Sequence, residues 1–190
     1  LGLYPIRRLF STTFECTLVG DSGIGDGNSG NDTIVISASG YVNVFISGDS
    51  DGGDNNSGND TITNNGEVWI IVGDSWDGDG NSGDDIITNS GQVEDIYGDS
   101  EDRNNDSGNN TITNQESGIV YNDIEGGGGN DIIRNDGTVK DDIQGLDGDD
   151  TITNTGTVDD DIEGNDDNDH ITNSGTVGED IQGGDGNDTI

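Results

Sequence analysis

The chain has 190 residues, of which 41 are acidic, 5 are lysine or arginine and 34 are glycine, so its formal net charge is −36. This charge excludes nucleic acid as a direct partner and disfavours an anionic membrane surface, because no basic stripe is present to contact phosphates. Only 26% of the residues are hydrophobic, a fraction more typical of disordered chains than of compact domains. No apolar run is long enough to predict a transmembrane segment.

Residues 1–19 form a segment that differs from the rest of the chain. The stretch LGLYPIRRLFSTTFECTLV contains one acidic residue, Glu15, two arginines and the single proline. Between Thr12 and Leu18 the side chains alternate in the manner of one β-strand. Two interpretations stay open. The segment is either a strand that caps the first coil of the following repeats or a docking segment that pairs with a neighbouring molecule.

A repeated unit fills residues 20–190 and occurs in two sizes. Residues 20–125 hold four long copies, which begin with GDSGIGDGNSGNDTI at Gly20, and residues 126–190 hold four short copies. The leading glycine precedes the closing isoleucine by 14 residues in a long copy and by 7 residues in a short copy. The extra residues are predicted to project from one corner of each coil and to leave the strands unchanged.

Aliphatic residues recur at a fixed spacing within these copies. Ile133, Ile152 and Ile171 are 19 residues apart, as are Val139 and Val158. A period of this length is typical of a solenoid, in which each coil buries its apolar side against the next coil. The strict period argues against disorder. We therefore predict an all-β fold, a right-handed parallel β-solenoid of about eight coils with two short strands and two turns per coil.

Polar residues recur in the same register and are predicted to stack. Amides at the turn after the first strand are expected to form a hydrogen-bonded ladder, namely Asn135, Asn154 and Asn173. Acidic residues near the second strand are expected to be solvated or weakly metal-associated, namely Asp95, Asp123, Asp142, Asp161 and Asp180. His170 is the only histidine, so neither a transition-metal site nor a catalytic triad is predicted around it. The chain is therefore predicted not to be an enzyme.

The acidic turns carry the functional prediction. Stacked acidic turns repel one another strongly unless counter-ions lie between them. Carboxylates and the carbonyl groups of glycine-rich turns are hard oxygen ligands, which favour Ca²⁺. The sequence therefore predicts several calcium ions along one edge of the solenoid.

The short copies resemble a known calcium-binding repeat. GGGGNDII from Gly126, GLDGDDTI from Gly145, GNDDNDHI from Gly164 and GGDGNDTI from Gly183 are similar to the glycine-aspartate nonapeptide of the repeats-in-toxin, or haemolysin-type, β-roll family. The resemblance implies that turn carbonyls and the aspartate of each motif bind Ca²⁺ between successive coils. The fourth long copy has Asn110 at the motif position, which implies a weaker or absent site. Only one edge of the coil keeps the motif.

Carried over by position, the resemblance implies the following metal ligands. The motif aspartates are Asp32, Asp60, Asp85, Asp131, Asp150, Asp169 and Asp188. The turn glycines that offer carbonyl groups are Gly145, Gly164 and Gly183. Further candidate ligands from the acidic loops and turns are Asp26, Asp54, Asp79, Asp147, Asp166 and Asp185.

These features predict a secreted, extracellular or cell-surface protein. We expect a calcium-stiffened rod that forms part of a surface layer, a fibre or an adhesin. Residues 183–190 end on a full motif, from which we expect head-to-tail association with the segment 1–19 of another molecule. The alternatives are the repeat region of a larger secreted toxin or enzyme, and an ice-binding solenoid. Ice binding would use outward threonine ranks, for example Thr151 and Thr153, which Ile86, Ile132, Arg134 and His170 interrupt.

Overall fold

The computed structural model describes residues 18–20, 30–37, 45–49, 54–76, 79–100 and 106–190. These residues form strands and turns only, and no helix among them is long and apolar enough to cross a membrane. Of the N-terminal segment, only Leu18 and Val19 are among the described residues, as a short strand. The predictions of a cap or a docking segment within residues 1–17 therefore lie outside the described residues.

Twenty strands lie within the described residues. Those up to residue 114 are β1 (Leu18–Val19), β2 (Thr33–Ile36), β3 (Phe45–Ser47), β4 (Thr61–Asn64), β5 (Ile70–Val72), β6 (Ile86–Asn89), β7 (Gln92–Val93), β8 (Asp95–Tyr97) and β9 (Thr111–Asn114). The next are β10 (Ile119–Val120), β11 (Ile124–Gly128), β12 (Ile132–Asn135), β13 (Thr138–Val139), β14 (Ile143–Asp147) and β15 (Thr151–Asn154). The last are β16 (Thr157–Val158), β17 (Ile162–Asp166), β18 (His170–Asn173), β19 (Thr176–Val177) and β20 (Ile181–Asp185).

The strands stack into three sheets in which every pairing is parallel. The first sheet has the order β1-β3-β5-β8-β11-β14-β17-β20, the second β2-β4-β6-β9-β12-β15-β18, and the third β7-β10-β13-β16-β19. Each strand pairs with the equivalent strand of the next coil, so the chain winds as a parallel β-solenoid. The predicted all-β solenoid is confirmed.

The register preserves the isoleucine columns through both sizes of coil. Ile62 pairs with Ile87, Ile112 pairs with Ile133, and the column continues to Ile171. The residues of this column from Ile62 onward are at most 1% exposed. A strand alternates its side chains between two faces, so TITN buries its isoleucine and its asparagine and turns both threonines outward. The long loops therefore leave the strands unchanged, as predicted.

The coil has three strands where two were predicted. From residue 92 onward the valine and the isoleucine of the expected second strand fall on two separate strands, such as β13 and β14. In one continuous strand, Val139, Asp141 and Ile143 would all point to the same face, and the aspartate would enter the core. A bend between the two strands keeps the valine and the isoleucine buried while Asp141 stays outside the apolar cluster.

A ladder of asparagines, buried except for the last one, Asn173, closes the polar turn, as predicted. Each amide Nδ2 donates to Oδ1 of the equivalent asparagine in the next coil at 2.8 to 2.9 Å, in the order Asn64, Asn89, Asn114, Asn135, Asn154 and Asn173. Where the turn is Asn-x-Gly, Oδ1 also accepts the backbone N–H two residues on, as Gly156 donates to Asn154 at 3.2 Å. The ladder thus fixes the turn and ties the coils together.

Candidate cation-binding columns

The motif aspartates form a second ladder, at the opposite end of the same strands. The backbone N–H of each motif residue donates to Oδ1 of the motif residue in the next coil, at 2.6 to 3.0 Å. The ladder runs through Asp32, Asp60, Asp85, Asn110, Asp131, Asp150, Asp169 and Asp188. The members from Asp60 to Asp169 are at most 2% exposed. The glycine-aspartate motif therefore places one carboxylate per coil inside the solenoid, apart from the coil that has Asn110.

The second oxygen of these carboxylates faces glycine. In Asp85, Asp131, Asp150 and Asp169, Oδ2 is buried and receives no hydrogen bond from any described residue. Each of these oxygens lies against the first glycine of its own turn, where a Cβ would collide with it; these glycines are Gly73, Gly126, Gly145 and Gly164. Gly183 has the same relation to Asp188. Glycine is required because the carboxylate occupies the space of its side chain.

Burial makes ionisation of these carboxylates costly. Burial and repulsion from Asp150 raise the pKa of Asp131 from 3.8 to about 8, against the lowering effect of its hydrogen bond from Asn110. Burial and repulsion from Asp169 likewise raise the pKa of Asp150 to about 7. The pKa of Asp85 is also raised, mainly by burial. At neutral pH the column therefore requires either protons or bound cations.

The donor set fits a hard cation. The column offers carboxylate oxygens stacked one above another, and backbone carbonyls approach the same glycines, as the carbonyl of Gly164 approaches Gly145. No sulfur or imidazole belongs to the column. Oxygen-only surroundings of this kind suit Ca²⁺, whose six to eight ligands tolerate irregular geometry, better than zinc or copper. The predicted ligands Gly145, Gly164 and Gly183 border the column.

Asn110 stands where the other copies have the motif aspartate, and its side chain makes contacts that a carboxylate could not make. Its Nδ2 donates to Oδ1 of Asp99 at 2.9 Å and lies 3.4 Å from the carbonyl oxygen of Gly126. The amide therefore supplies a hydrogen-bond donor where the other long copies place the motif carboxylate. The prediction of a weak or absent cation site in this copy stays a prediction, and the direct amide contact supports it.

A further column of buried carboxylates was not predicted from the sequence. Asp49, Asp74 and Asp99 follow the leading glycine of their copies, and each is fully buried. Asp49 and Asp74 accept the backbone N–H of Gly58 and Gly83 at 3.0 and 3.2 Å. The sequence contains a signal for this column, because all four long copies begin with GDS and so repeat the aspartate at one position. The described part of the long loops therefore encloses a polar interior.

Two acidic clusters lie at another corner of the coil. The carboxylate oxygens of Asp123, Asp141 and Asp142 lie within 4.8 Å of one another, as do those of Asp142, Asp160 and Asp161. Burial, then repulsion from Asp123 and Asp142, raises the pKa of Asp141. These groups could hold a metal ion. The expectation that Asp123, Asp142 and Asp161 are solvated or weakly metal-associated stays a prediction.

The remaining candidate ligands lie on the surface or outside the described residues. Asp54 and Asp79 are exposed on the long loops, where the N–H of Asp79 donates to Oδ1 of Asp54 at 3.0 Å. Three others form an exposed column at the ends of β14, β17 and β20, namely Asp147, Asp166 and Asp185. Asp26 lies outside the described residues. The ligand roles of all six stay predictions.

The outer face of the second sheet carries the threonine ranks. Thr151 pairs with His170, and Thr153 pairs with Thr172 in the next coil. Three aliphatic side chains interrupt the ranks and are about half exposed: Val35 at 54%, Ile86 at 49% and Ile132 at 53%. His170 lies 3.4 Å from the hydroxyl of Thr172 and contributes no ligand to the buried columns. The interruptions expected from the sequence lie on one continuous sheet face.

The fold and the columns together define a parallel β-solenoid with stacked, buried carboxylates. Comparison with protein-family models, curated proteins and solved structures finds no match to this chain. The resemblance to the repeats-in-toxin family therefore rests on the motif itself.

Proposed function

We propose that this chain is an extracellular, calcium-binding structural repeat protein, a rod that cations stiffen. The observation that carries the proposal is the buried Oδ2 of Asp85, Asp131, Asp150 and Asp169, which receives no hydrogen bond from the described part of the chain. Unpartnered buried oxygens are costly, and a bound cation would offset that cost. Calcium would then couple neighbouring coils, because one ion between two levels contacts both of them.

Calcium suits the proposal better than other cations. The candidate ligands are carboxylate and carbonyl oxygens that recur from coil to coil along the solenoid. Ca²⁺ accepts such irregular sets of oxygen ligands. Sites of moderate affinity fill only where calcium is abundant, at roughly 10⁻⁴ to 10⁻³ M for extracellular modules. This requirement, together with the net charge of −36, supports a secreted or cell-surface location.

The rod would serve as a scaffold within a surface layer, a fibre or an adhesin. The solenoid presents long, regular faces, and no acid-base pair in an apolar pocket belongs to the columns described above, so we propose no catalytic role. Membership of the repeats-in-toxin family and head-to-tail association are parts of the same proposal. Electron microscopy of the chain with calcium, with and without residues 1–19, tests the association: monodisperse particles in both samples would contradict it.

The experiment on the proposed function compares Asp150→Asn with Asp149→Asn. Asp150 is buried in the column, whereas Asp149 is fully exposed on the same turn. We expect Asp150→Asn to lower the number of bound calcium ions in equilibrium dialysis and Asp149→Asn to leave the number unchanged. Asparagine occupies the motif position in the fourth copy, so the variant is compatible with the fold. Equal calcium binding in the two variants would contradict the proposal.

Ice binding is a second candidate, favoured by the outward threonine ranks on one sheet face. The half-exposed Ile86 and Ile132 and the positively charged Arg134 interrupt these ranks. The interruptions reduce the match between the threonine hydroxyls and an ice lattice. A thermal-hysteresis assay separates the two functions. Hysteresis that Thr153→Ala abolishes would favour ice binding, and its absence would favour the scaffold. The repeat region of a larger secreted toxin or enzyme stays a further alternative.

A further inference from the structure

In the long-loop part, two buried carboxylates meet across the base of one loop. Asp74 accepts the N–H of Gly83 at Oδ2, at 3.2 Å, and its Oδ1 lies where a Cβ of Gly83 would be, at 2.6 Å. Asp85, two residues beyond Gly83, places Oδ2 where a Cβ of Gly73 would be. Gly73 directly precedes Asp74. The two side chains therefore cross the base of the loop in opposite directions, side by side.

Each of the two carboxylates has one oxygen that lacks a hydrogen-bond donor among the described residues. Asp74 is fully buried and Asp85 is 1% exposed. Oδ1 of Asp74 and Oδ2 of Asp85 receive no hydrogen bond from any residue that the structure describes. After burial, the charge of Asp85 is the largest cause of the raised pKa of Asp74. Two like charges this close, with no donor between them, are unfavourable unless a positive charge is shared.

Backbone oxygens complete the surroundings. The carbonyl oxygen of Gly58 approaches Gly83 beside Oδ1 of Asp74, and the carbonyl oxygen of Gly98 approaches Gly73 beside Oδ2 of Asp85. The pair is thus flanked by one carbonyl from the preceding coil and one from the following coil. Two carboxylates and two carbonyls form an oxygen-only set of the kind that binds Ca²⁺.

The next coil gives a comparison within the same chain. There Asp99 occupies the position of Asp74 and Asn110 occupies the position of Asp85. The amide Nδ2 of Asn110 donates directly to Oδ1 of Asp99 at 2.9 Å. In that coil the amide of Asn110 thus supplies the hydrogen bond that the buried carboxylate of Asp99 needs, and no cation is required between them. Where the partner is a carboxylate, no described residue supplies a donor, and a cation or a shared proton is left to take its place.

We propose that Asp74 and Asp85 together hold one divalent, oxygen-preferring cation inside the long-loop part, at a site that the glycine-aspartate motif alone does not provide. The proposal rests on the proposed function and adds to it a ligand, Asp74, that lies outside the motif. The cation would tie the base of the loop together and join it to the two adjacent coils. The long loops would then have more cation sites per coil than the short ones.

The test counts calcium ions bound to the full chain by equilibrium dialysis. We expect Asp74→Asn to bind one ion fewer than the wild type, and the exposed loop variant Asp84→Asn to bind the same number. Asn110→Asp rebuilds the carboxylate pair in the next coil and should bind one ion more. An unchanged count for both Asp74→Asn and Asn110→Asp would overturn the proposal and would favour a proton shared by the pair.

Melting temperatures in chelator and a comparison of calcium counts separate the failure of the loop site from the failure of the proposed function. In chelator, Asp74→Asn should melt at a higher temperature than the wild type and Asn110→Asp at a lower one, because the first removes and the second creates a buried carboxylate that must either stay protonated or repel its neighbour. Absence of calcium from the wild type would refute the proposed function as well. A count that Asp150→Asn lowers and Asp74→Asn does not would refute only the loop site.

Discussion

The long-loop and short-loop parts of the solenoid share one buried carboxylate column and differ in the residue that follows the leading glycine. In the described long copies this residue is a buried aspartate without positive φ: Asp49, Asp74 and Asp99. In the short copies it has positive φ: Gly127 at 116°, Leu146 at 86°, Asn165 at 81° and Gly184 at 105°. The long copies therefore place a second carboxylate inside the solenoid, whereas the short copies have no aspartate at this position and turn the backbone to positive φ there.

The difference follows from loop length. A long loop brings Gly58 or Gly83 back across its own base, so the aspartate finds a backbone N–H inside the coil. A short turn reverses direction within a few residues, and positive φ is needed to do so. Insertions at a solenoid corner can thus add buried chemistry without altering the strands. Three pairs of variants sharpen this comparison.

The largest effect is expected for alanine at the leading glycine. Gly73→Ala in the long-loop part and Gly145→Ala in the short-loop part both place a methyl group on the motif carboxylate and next to a carbonyl of the adjacent coil. We expect each to lower the free energy of unfolding by about 3 kcal/mol. Gly80→Ala, whose Cβ would lie 3.2 Å from the amide oxygen of Asn55 at φ 75°, should cost about 1 kcal/mol.

Chemical denaturation in calcium measures these differences. Equal losses in the two parts would show that the motif column is common to both. A loss no larger than that of Gly80→Ala at either position would mean that the carboxylate does not occupy the space beside the glycine.

A smaller and equal effect is expected in the asparagine ladder. Asn89→Ala and Asn135→Ala each remove an amide that both donates and accepts along the stack, at 2.8 to 2.9 Å. Each leaves buried neighbours unsatisfied, for a loss of about 2 kcal/mol. The ladder runs unbroken through both parts, so the two losses should agree. Denaturation of Thr153→Ala serves as the control, and a loss confined to one part would contradict a continuous ladder.

The smallest effect is expected where the short turns are strained. Leu146 adopts φ 86°, which disfavours an ordinary side chain and suits glycine. Leu146→Gly should therefore raise the free energy of unfolding by about 0.5 kcal/mol, because relief of strain slightly exceeds the added entropy of the unfolded chain. Asn165→Gly should gain less, since asparagine tolerates positive φ. Thermal melts of both variants test this order, and destabilisation by Leu146→Gly would contradict it.

The fold was predictable because its signals repeat. Isoleucine every 19 residues in the short copies fixes the stacking, and asparagine at a constant distance from it fixes the polar turn. Stacking in register makes each column visible in the sequence as a period. The number of strands per coil was not visible, since Val139 and Ile143 fit one strand or two equally well. The cost of burying Asp141 decides between them.

The motif column was also predictable, and the second column was not. Asp85 and Asp150 stand at a fixed distance before a buried isoleucine, so their register is clear. Asp74 recurs just as regularly, but whether it points inward depends on the path of a long loop, which a periodic pattern does not specify. Its burial follows from one backbone N–H, that of Gly83.

The central claim is that cations stabilise the buried carboxylates. The pKa of Asp131 rises from 3.8 to about 8 and that of Asp150 to about 7, chiefly through burial. Between the ordinary pKa of 3.8 and these raised values, the metal-free folded chain therefore keeps protons that the unfolded chain has already released. Its stability should fall as the pH rises through this window. Calcium should reverse the trend, because protons compete with it for the same oxygens.

Circular dichroism at about pH 5 and about pH 8, with chelator and with millimolar calcium, tests the claim most directly. We expect the β spectrum in chelator to persist at the lower pH and to be lost at the higher pH, where calcium restores it. A β spectrum that stays unchanged in chelator at both pH values, with the same melting temperature as in calcium, would contradict the claim.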